Sequence, residues 1–126
     1  MVYLITGKQG AGKTEYALRL CNELLAAGHF VIHLDGDDFR RSTNNQDFSD
    51  AGRIKNLTDA AEIASAFEDQ GKIVVMSFIA PRREWRYMMR ALWKRSRVVY
   101  IPGGKLWEGT GYDVPLDDEL NLLINQ

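Results

Sequence analysis

Short apolar runs and widely spaced apolar stripes alternate along this chain. Val2 to Thr6 is apolar, closed by Gly7, and reads as a buried strand. From Lys13 to Ala27, the residues Ala17, Leu20, Cys21, Leu24 and Leu25 recur at three- and four-residue spacing. That spacing predicts an amphipathic helix with one buried face. Gly28 is a suitable stop, because glycine accepts the left-handed conformation that ends many helices. "HFVIHL" at 29–34 predicts a second strand. The cycle then repeats. A helix over 52–70 carries Ile54, Leu57, Ala61, Ala64 and Phe67 on one side, and Gly71 ends it. "KIVVMSFI" at 72–79 is a strand whose nearly continuous apolar run suits cover on both faces. A helix is expected from about Arg82 to Arg95, with Met88 and Met89 packing it on the sheet, then a strand at 97–101. "PGGKLWEGTGYDVP" reads as loop and 116–124 as a short final helix.

Strands alternating with helices predict an α/β fold, a three-layer sandwich with a mainly parallel sheet and helices on both faces. Crossovers in such a sheet are right-handed, and ligands sit beyond the carboxyl ends of the strands. The loops that begin at Thr6, Asp35 and Ala80 should therefore line one crevice. The length, 126 residues, suits a single domain over 1–126.

Bulk composition narrows the partners. A net charge of −1, with 45% apolar and 26% charged residues, excludes a basic nucleic-acid coat and an acidic tail. The apolar runs are too short for a membrane span, and "MVYLITGKQG" lacks the basic flank and cleavage site of a signal peptide. A lone cysteine, Cys21, forms no internal disulfide, which fits a reducing compartment. A cytoplasmic protein is expected, with no membrane partner. The sparse tail leaves part of the sheet uncovered, an arrangement compatible with a homodimer.

"GKQGAGKT" satisfies the pattern G-x-x-x-x-G-K-[ST], with strand before and helix after. This is the phosphate loop of the P-loop NTPases, and the expected variety is a nucleoside- or nucleotide-kinase-like domain. Backbone N–H groups of Gly7, Lys8, Gln9, Gly10, Ala11, Gly12, Lys13 and Thr14 would curl around a triphosphate. The helix dipole adds positive potential. Lys13 would reach the β- and γ-phosphates of ATP, and the Thr14 hydroxyl would ligate Mg2+.

Beside this loop, "LDGDDFR" crowds Asp35, Asp37 and Asp38 at a strand end, with Arg40 and Arg41 next. A carboxylate there can accept the proton of an attacking hydroxyl while an arginine holds an anionic acceptor. Asp35 stands first and is the expected base; Asp37 would hold Mg2+ through water or orient the acceptor. A plain reading is a solvated turn with an aspartate helix cap. The third strand offers Ser77 where a motor or switch protein would carry a metal-binding aspartate, which points to a small-molecule kinase.

The order of "GKQGAGKT", "LDGDDFR", "DFSDAGRIKN" and "SFIAPRREWR" resembles the adenylylsulfate kinase family over about residues 2–101. "EGTGYDVPLDDEL" is similar to that family's closing segment. The resemblance implies transfer of the γ-phosphate of ATP to the 3′-hydroxyl of adenosine 5′-phosphosulfate. It implies that Asp35 assists the hydroxyl and that Arg40, Arg53 and Asn56 hold phosphosulfate and ribose. Phe48 would stack on the acceptor adenine, with Ile79 and Ala80 as backbone beside it. Two departures stand out: Ala80 replaces the family's serine, and "YIPGGKLWEG" replaces its lid, leaving Trp107 to supply a second stacking ring.

Arg82, Arg86, Arg90 and Lys94 recur every fourth residue, with Arg83, Arg95 and Arg97 nearby. On a helix they would form one basic face, suited to ATP phosphates or to a nucleic-acid backbone. Trp85, Tyr87 and Trp93 lie between them and would stack on bases in the second case, or pack in the core. A kinase of a hydroxyl in DNA, of the phage 5-hydroxymethyluracil type, is thus the alternative, with DNA as acceptor. A third reading is a nucleotide-binding module without catalysis. Cys21 is read as core, and His29 and His33 as plain strand residues, since no cluster of metal ligands accompanies them.

Overall fold

The computed structural model describes residues 1–106, 110–120 and the backbone of 124–125. Its strands are β1 (Val2–Thr6), β2 (Val31–Asp35), β3 (Ile73–Ser77), β4 (Arg95–Tyr100) and β5 (Ile124–Asn125). They join in the order β2-β3-β1-β4-β5. The first four are parallel, and β5 is antiparallel to β4. The helices are α1 (Lys13–Ala26), α2 (Gly36–Thr43), α3 (Asp50–Asp69), α4 (Arg83–Arg90) and α5 (Asp117–Leu120).

Strand periodicity divides the core in two. Alternate side chains of a strand point to opposite faces. Ile5 and Val75 meet Ala17 and Cys21 of α1 on one face, with Tyr3, Val31 and Val99 packed around them. Val2, Leu4, Val74 and Met76 point the other way, against Leu57, Ala60, Ala61 and Ala64 of α3 and Trp85 and Met89 of α4. The alanines keep α3 close to the sheet. Leu25, expected on the buried stripe of α1, is 55% exposed, because Ala17 and Cys21 already fill the space against the sheet.

Three boundaries differ from the sequence expectation in ways that matter. First, "GDDFRRST" forms a helix that apolar periodicity did not announce, since Phe39 is its one buried residue. Its charges explain it: Asp37 and Asp38 occupy the first turn and Arg40 and Arg41 the last, the arrangement a helix dipole favours. Second, α4 ends at Arg90 and β4 begins at Arg95, so Lys94 is not on the helix. Third, the helix expected over 116–124 spans Asp117–Leu120, and its last residue, Ile124, lies in β5, while 121–123 lie outside the described residues.

The basic face on α4 is a correction. Arg86 and Arg90 are both fully buried. Arg86 donates from Nε and Nη2 to the Glu119 carboxylate, from Nη1 to the Ala80 carbonyl at 2.8 Å, and from Nη2 to the Asp113 carbonyl. Arg90 donates to Ser96 Oγ, to the Ser96 carbonyl and to the Glu119 carbonyl. Burial disfavours the Arg90 charge and lowers its pKa, with Glu119 and Tyr87 acting in opposition. Trp93 is fully buried and donates to the Ala61 carbonyl, and Trp85 is 7% exposed, so neither ring is open to a base. A phosphate track needs solvated cations, so Arg86 and Arg90 cannot belong to one. Four-residue spacing alone does not say which way a helix faces. Here it turns inward because Glu119 supplies the counter-charge.

Candidate active site

β1 delivers its end, Thr6, to the phosphate loop. Gly12 closes the loop at φ 100°, a left-handed conformation that costs glycine nothing, and caps α1. The Lys13 ammonium donates to the Lys8 carbonyl at 2.9 Å, so it lies folded over the loop. Burial lowers the Lys13 pKa, while Asp37, Asp35 and Glu15 oppose that shift. A second glycine turn, which the sequence reading left as loop, buttresses the first. The Lys105 amide donates to the Gln9 carbonyl at 2.9 Å, and a Cβ at Gly104 (φ 72°) would stand 2.4 Å from that oxygen. No residue with a side chain fits there without moving the phosphate loop.

β2 and β3 bring the acidic loop alongside. Asp35 pairs in register with Ser77, and both face α1. Asp35 Oδ1 accepts from the Thr14 hydroxyl at 3.0 Å and the Ser77 hydroxyl at 2.8 Å. Its other oxygen caps α2 by accepting from the Asp38 amide at 3.5 Å. His33 Nε2 lies 2.9 Å from Ser77 Oγ. His33 carried no functional reading in the sequence, and Ser77 served there only to separate this chain from motor and switch proteins; their contact links two strands, and neither strand alone announces it.

Two cavities open at this sheet edge. One, about 230 Å3, is lined by Gly10, Gly12, Lys13, Thr14 and Asp35 among others. The second, about 90 Å3, is lined by Asp37, Arg40, Phe48, Arg53, Asn56, Ile79 and Ala80, with Thr110 and Leu106 closing its far side. Gln9, Gly36, Asp37, Phe78 and Ile79 line both. The six residues that the family resemblance nominated for the acceptor thus stand around one space, together with Asp37 of the acidic loop. Trp107 lies outside the described residues.

Several of these residues are fixed by their neighbours. Arg40 donates to the carbonyls of Asn45 and Asp47 and sits 4.4 Å from the Phe48 ring centroid. Burial lowers its pKa, Arg53 adds to the shift, and Asp37 and Asp47 oppose it. Phe48 is 52% exposed. Asn56 is buried, and its Oδ1 has no hydrogen-bond partner among the described residues. Such an atom costs about 1–3 kcal/mol unless a ligand donor meets it. Ala80 adopts φ 43°, held between the Thr6 hydroxyl on the Ile79 carbonyl and Arg86 on its own.

The tail from Thr110 to Leu120 meets the acceptor cavity at Thr110 and is tied to β1 and to the start of α4, a role that the sequence did not announce. Tyr112 Oη lies 2.7 Å from Thr6 Oγ1 and its ring stacks on Tyr100. Burial chiefly pushes the Tyr112 pKa up to about 12. The Asp113 amide and carboxylate bracket the start of α4 through Pro81 and Arg83.

A parallel sheet in this strand order, with a phosphate loop leading α1 and a carboxylate at the end of β2, defines a P-loop domain of the kinase class. A match to the adenylylsulphate kinase family runs over residues 1–102, and the chain belongs to that family. It is 42% identical over 89 residues to a probable adenylyl-sulfate kinase of Bacillus subtilis (strain 168), covering 70% of this chain and 45% of that protein. It is 36% identical over 118 residues to the bifunctional enzyme NodQ of Azospirillum brasilense, covering 93% of this chain and 18% of that one. Among solved structures, the Mycobacterium tuberculosis APS kinase CysC in complex with AMPPNP and APS superposes with TM-score 0.75 at 29% identity, over 80% of this chain and 61% of that one. The chain spans less than half the length of the Bacillus relative.

Family members use ATP, typically with Mg2+. The residues present suit that ion, since the Thr14 hydroxyl and the Asp35 and Asp37 carboxylates are hard oxygen donors beside the phosphate cavity. No helix among the described residues is long and apolar enough to cross a membrane.

Proposed function

We propose that this chain transfers the γ-phosphate of ATP to the 3′-hydroxyl of adenosine 5′-phosphosulfate. The observation that carries the reading is the wall common to the two cavities, where Asp37 faces both. The phosphate cavity suits a triphosphate held by backbone amides, Lys13 and the α1 dipole. The acceptor cavity suits a flat base against Phe48, an anionic group near Arg40 and Arg53, and a donor for Asn56 Oδ1. An adenine amine or a ribose hydroxyl meets the last requirement.

Asp35, first in sequence, was the expected base. Its Oδ1 already accepts two hydroxyls, one of them from Thr14. We therefore place Asp35 on the metal side with Thr14, and the proton acceptor at Asp37. The acceptor oxygen attacks the γ-phosphorus in line, the bond to the β-phosphate oxygen breaks, ADP departs, and the hydroxyl proton passes to the Asp37 carboxylate. Bound Mg2+ supplies charge neutralisation at the phosphates. Lys13 adds positive charge on the same side.

The test is incubation of the purified chain with ATP, Mg2+ and adenosine 5′-phosphosulfate, with chromatographic detection of the 3′-phosphorylated product. Product that vanishes in Lys13→Ala supports the reading. Absence of product from a chain that still binds nucleotide through Lys13 overturns it in favour of a binding module.

A further inference from the structure

His33 stands behind the phosphate site, in contact with Ser77 of its lining, and has no part in the phosphoryl transfer described above. It sits on β2 two residues before Asp35, so both side chains leave the same face of the strand. Ser77 faces Asp35 across the parallel register of β2 and β3 and is 2% exposed. The result is a continuous row of polar contacts. His33 Nε2 lies 2.9 Å from Ser77 Oγ, Ser77 Oγ lies 2.8 Å from Asp35 Oδ1, and Thr14 Oγ1 lies 3.0 Å from that same oxygen.

Counting protons gives the row a direction. A hydroxyl has one proton, and an ionised carboxylate only accepts. Ser77 spends its proton on Asp35, so its contact with His33 requires the ring to donate. His33 must therefore carry its proton on Nε2. Thr14 likewise spends its proton on Asp35, which leaves its lone pairs for a cation. Without the donor from His33, the buried Ser77 hydroxyl would turn to find another partner. Asp35 Oδ1 would lose one of the two hydrogen bonds that fix its direction.

We propose that His33 is a positioning residue for the metal side of the phosphate site, acting through Ser77 on the Asp35–Thr14 pair. This deepens the reading given under Proposed function and rests on its placement of Mg2+, but it is independent of which acceptor the enzyme uses.

The test uses the whole chain and the non-hydrolysable ATP analogue AMPPNP, titrated calorimetrically with Mg2+ and again with the metal chelated. His33→Leu removes the ring donor and leaves an apolar side chain on the face that carries Val31 and Val75. It should weaken binding with Mg2+ by about threefold to tenfold, the loss of one hydrogen bond, and leave metal-free binding unchanged. His33→Gln, whose amide can donate, should recover part of that loss. Ser77→Ala should match His33→Leu, and the double variant should lose no more than either, since all three cut the same row. In the unmodified chain, 15N–1H correlation of the imidazole should show the proton on Nε2. A ring protonated on Nδ1 alone, equal losses with and without metal, or additive losses in the double variant would each overturn the relay. Wild-type binding that ignores Mg2+ would instead overturn the metal placement itself. Failure to phosphorylate adenosine 5′-phosphosulfate, with the relay results intact, would remove only the acceptor.

Discussion

The two cavities share a wall and are built on different principles. The phosphate cavity draws on three short stretches of sequence: residues 9, 10 and 12–15 of the loop and helix start, 35–37 and 77–79. Much of its lining is backbone, placed by glycine conformations and by the ends of neighbouring parallel strands. The acceptor cavity draws on more segments and more side chains, among them Gln9, Arg40, Phe48, Asn56, Ala80 and Thr110. Its shape depends on how distant pieces pack. The first kind of site binds what every member of a fold binds, and the second distinguishes one acceptor from another. A substitution should therefore report which side of the wall it lies on.

The largest expected effect belongs to the wall itself. Asp37→Asn removes the proposed proton acceptor and should lower kcat by about 10²–10⁴-fold, with the KM for ATP little changed. Asp35→Asn should instead raise the Mg2+ concentration needed for half-maximal rate. Steady-state kinetics across a Mg2+ series separates the two, and exchanged phenotypes would return the base to Asp35.

Next comes the tail that meets the acceptor cavity. Glu119→Gln leaves the fully buried Arg86 guanidinium facing a neutral amide. Breaking such a buried pair costs about 3–5 kcal/mol, measurable as a shift of the urea midpoint. The pair also anchors the tail, so at temperatures where the variant stays folded the acceptor KM should rise more than that for ATP. Equal rises in both would mean that the tail supports the fold without shaping the cavity.

Phe48→Ala should act on one cavity alone. Stacking of a base on an aromatic ring is worth about 1–3 kcal/mol, so the acceptor KM should climb roughly fivefold to a hundredfold. Phe48 is half-exposed, so thermal stability should barely move. An unchanged acceptor KM would take the base away from Phe48.

The contrast between the cavities also explains what could be read in advance. The phosphate loop, the four parallel strands and the stripe of α3 are local patterns, and each appears in the structure within a few residues of its expected place. Asp37 and Arg40 were legible from their crowding at a strand end, but Phe48, Arg53, Asn56, Ile79 and Ala80 only through the order of family motifs; nothing about Asn56 by itself says that its oxygen is buried without a partner among the described residues. Arg86 and Arg90 show the opposite failure. Their helical spacing was read correctly, but their direction was set by Glu119, some thirty residues on, and by Ser96. α2 escaped because capping and charge hold it, with Phe39 as its one buried residue. His33 and Ser77 escaped because a polar row across two strands has no signature in either strand alone.

The smallest effect tests the other end of the sheet, where neither cavity reaches. Glu68, 8% exposed, accepts from the backbone amides of Lys94 and Arg95 and pairs with the Met1 amino group at 2.8 Å. Burial alone would raise its pKa. The hydrogen bonds and the ammonium charge together outweigh burial and hold it below the usual glutamate value. A carboxyl whose folded pKa is depressed adds stability that is fully present above its unfolded pKa, roughly 4.3, and lost as pH falls through the folded value. Glu68→Gln should therefore lie below wild type in stability at neutral pH, with the two curves converging as the medium is made more acidic. Urea unfolding at a series of pH values measures the gap. Because the site is remote, nucleotide and acceptor KM should stay at their wild-type values at neutral pH. A gap that widened on acidification would reverse the sign assigned to Glu68, and an altered KM would show that this end of the sheet is coupled to the cavities.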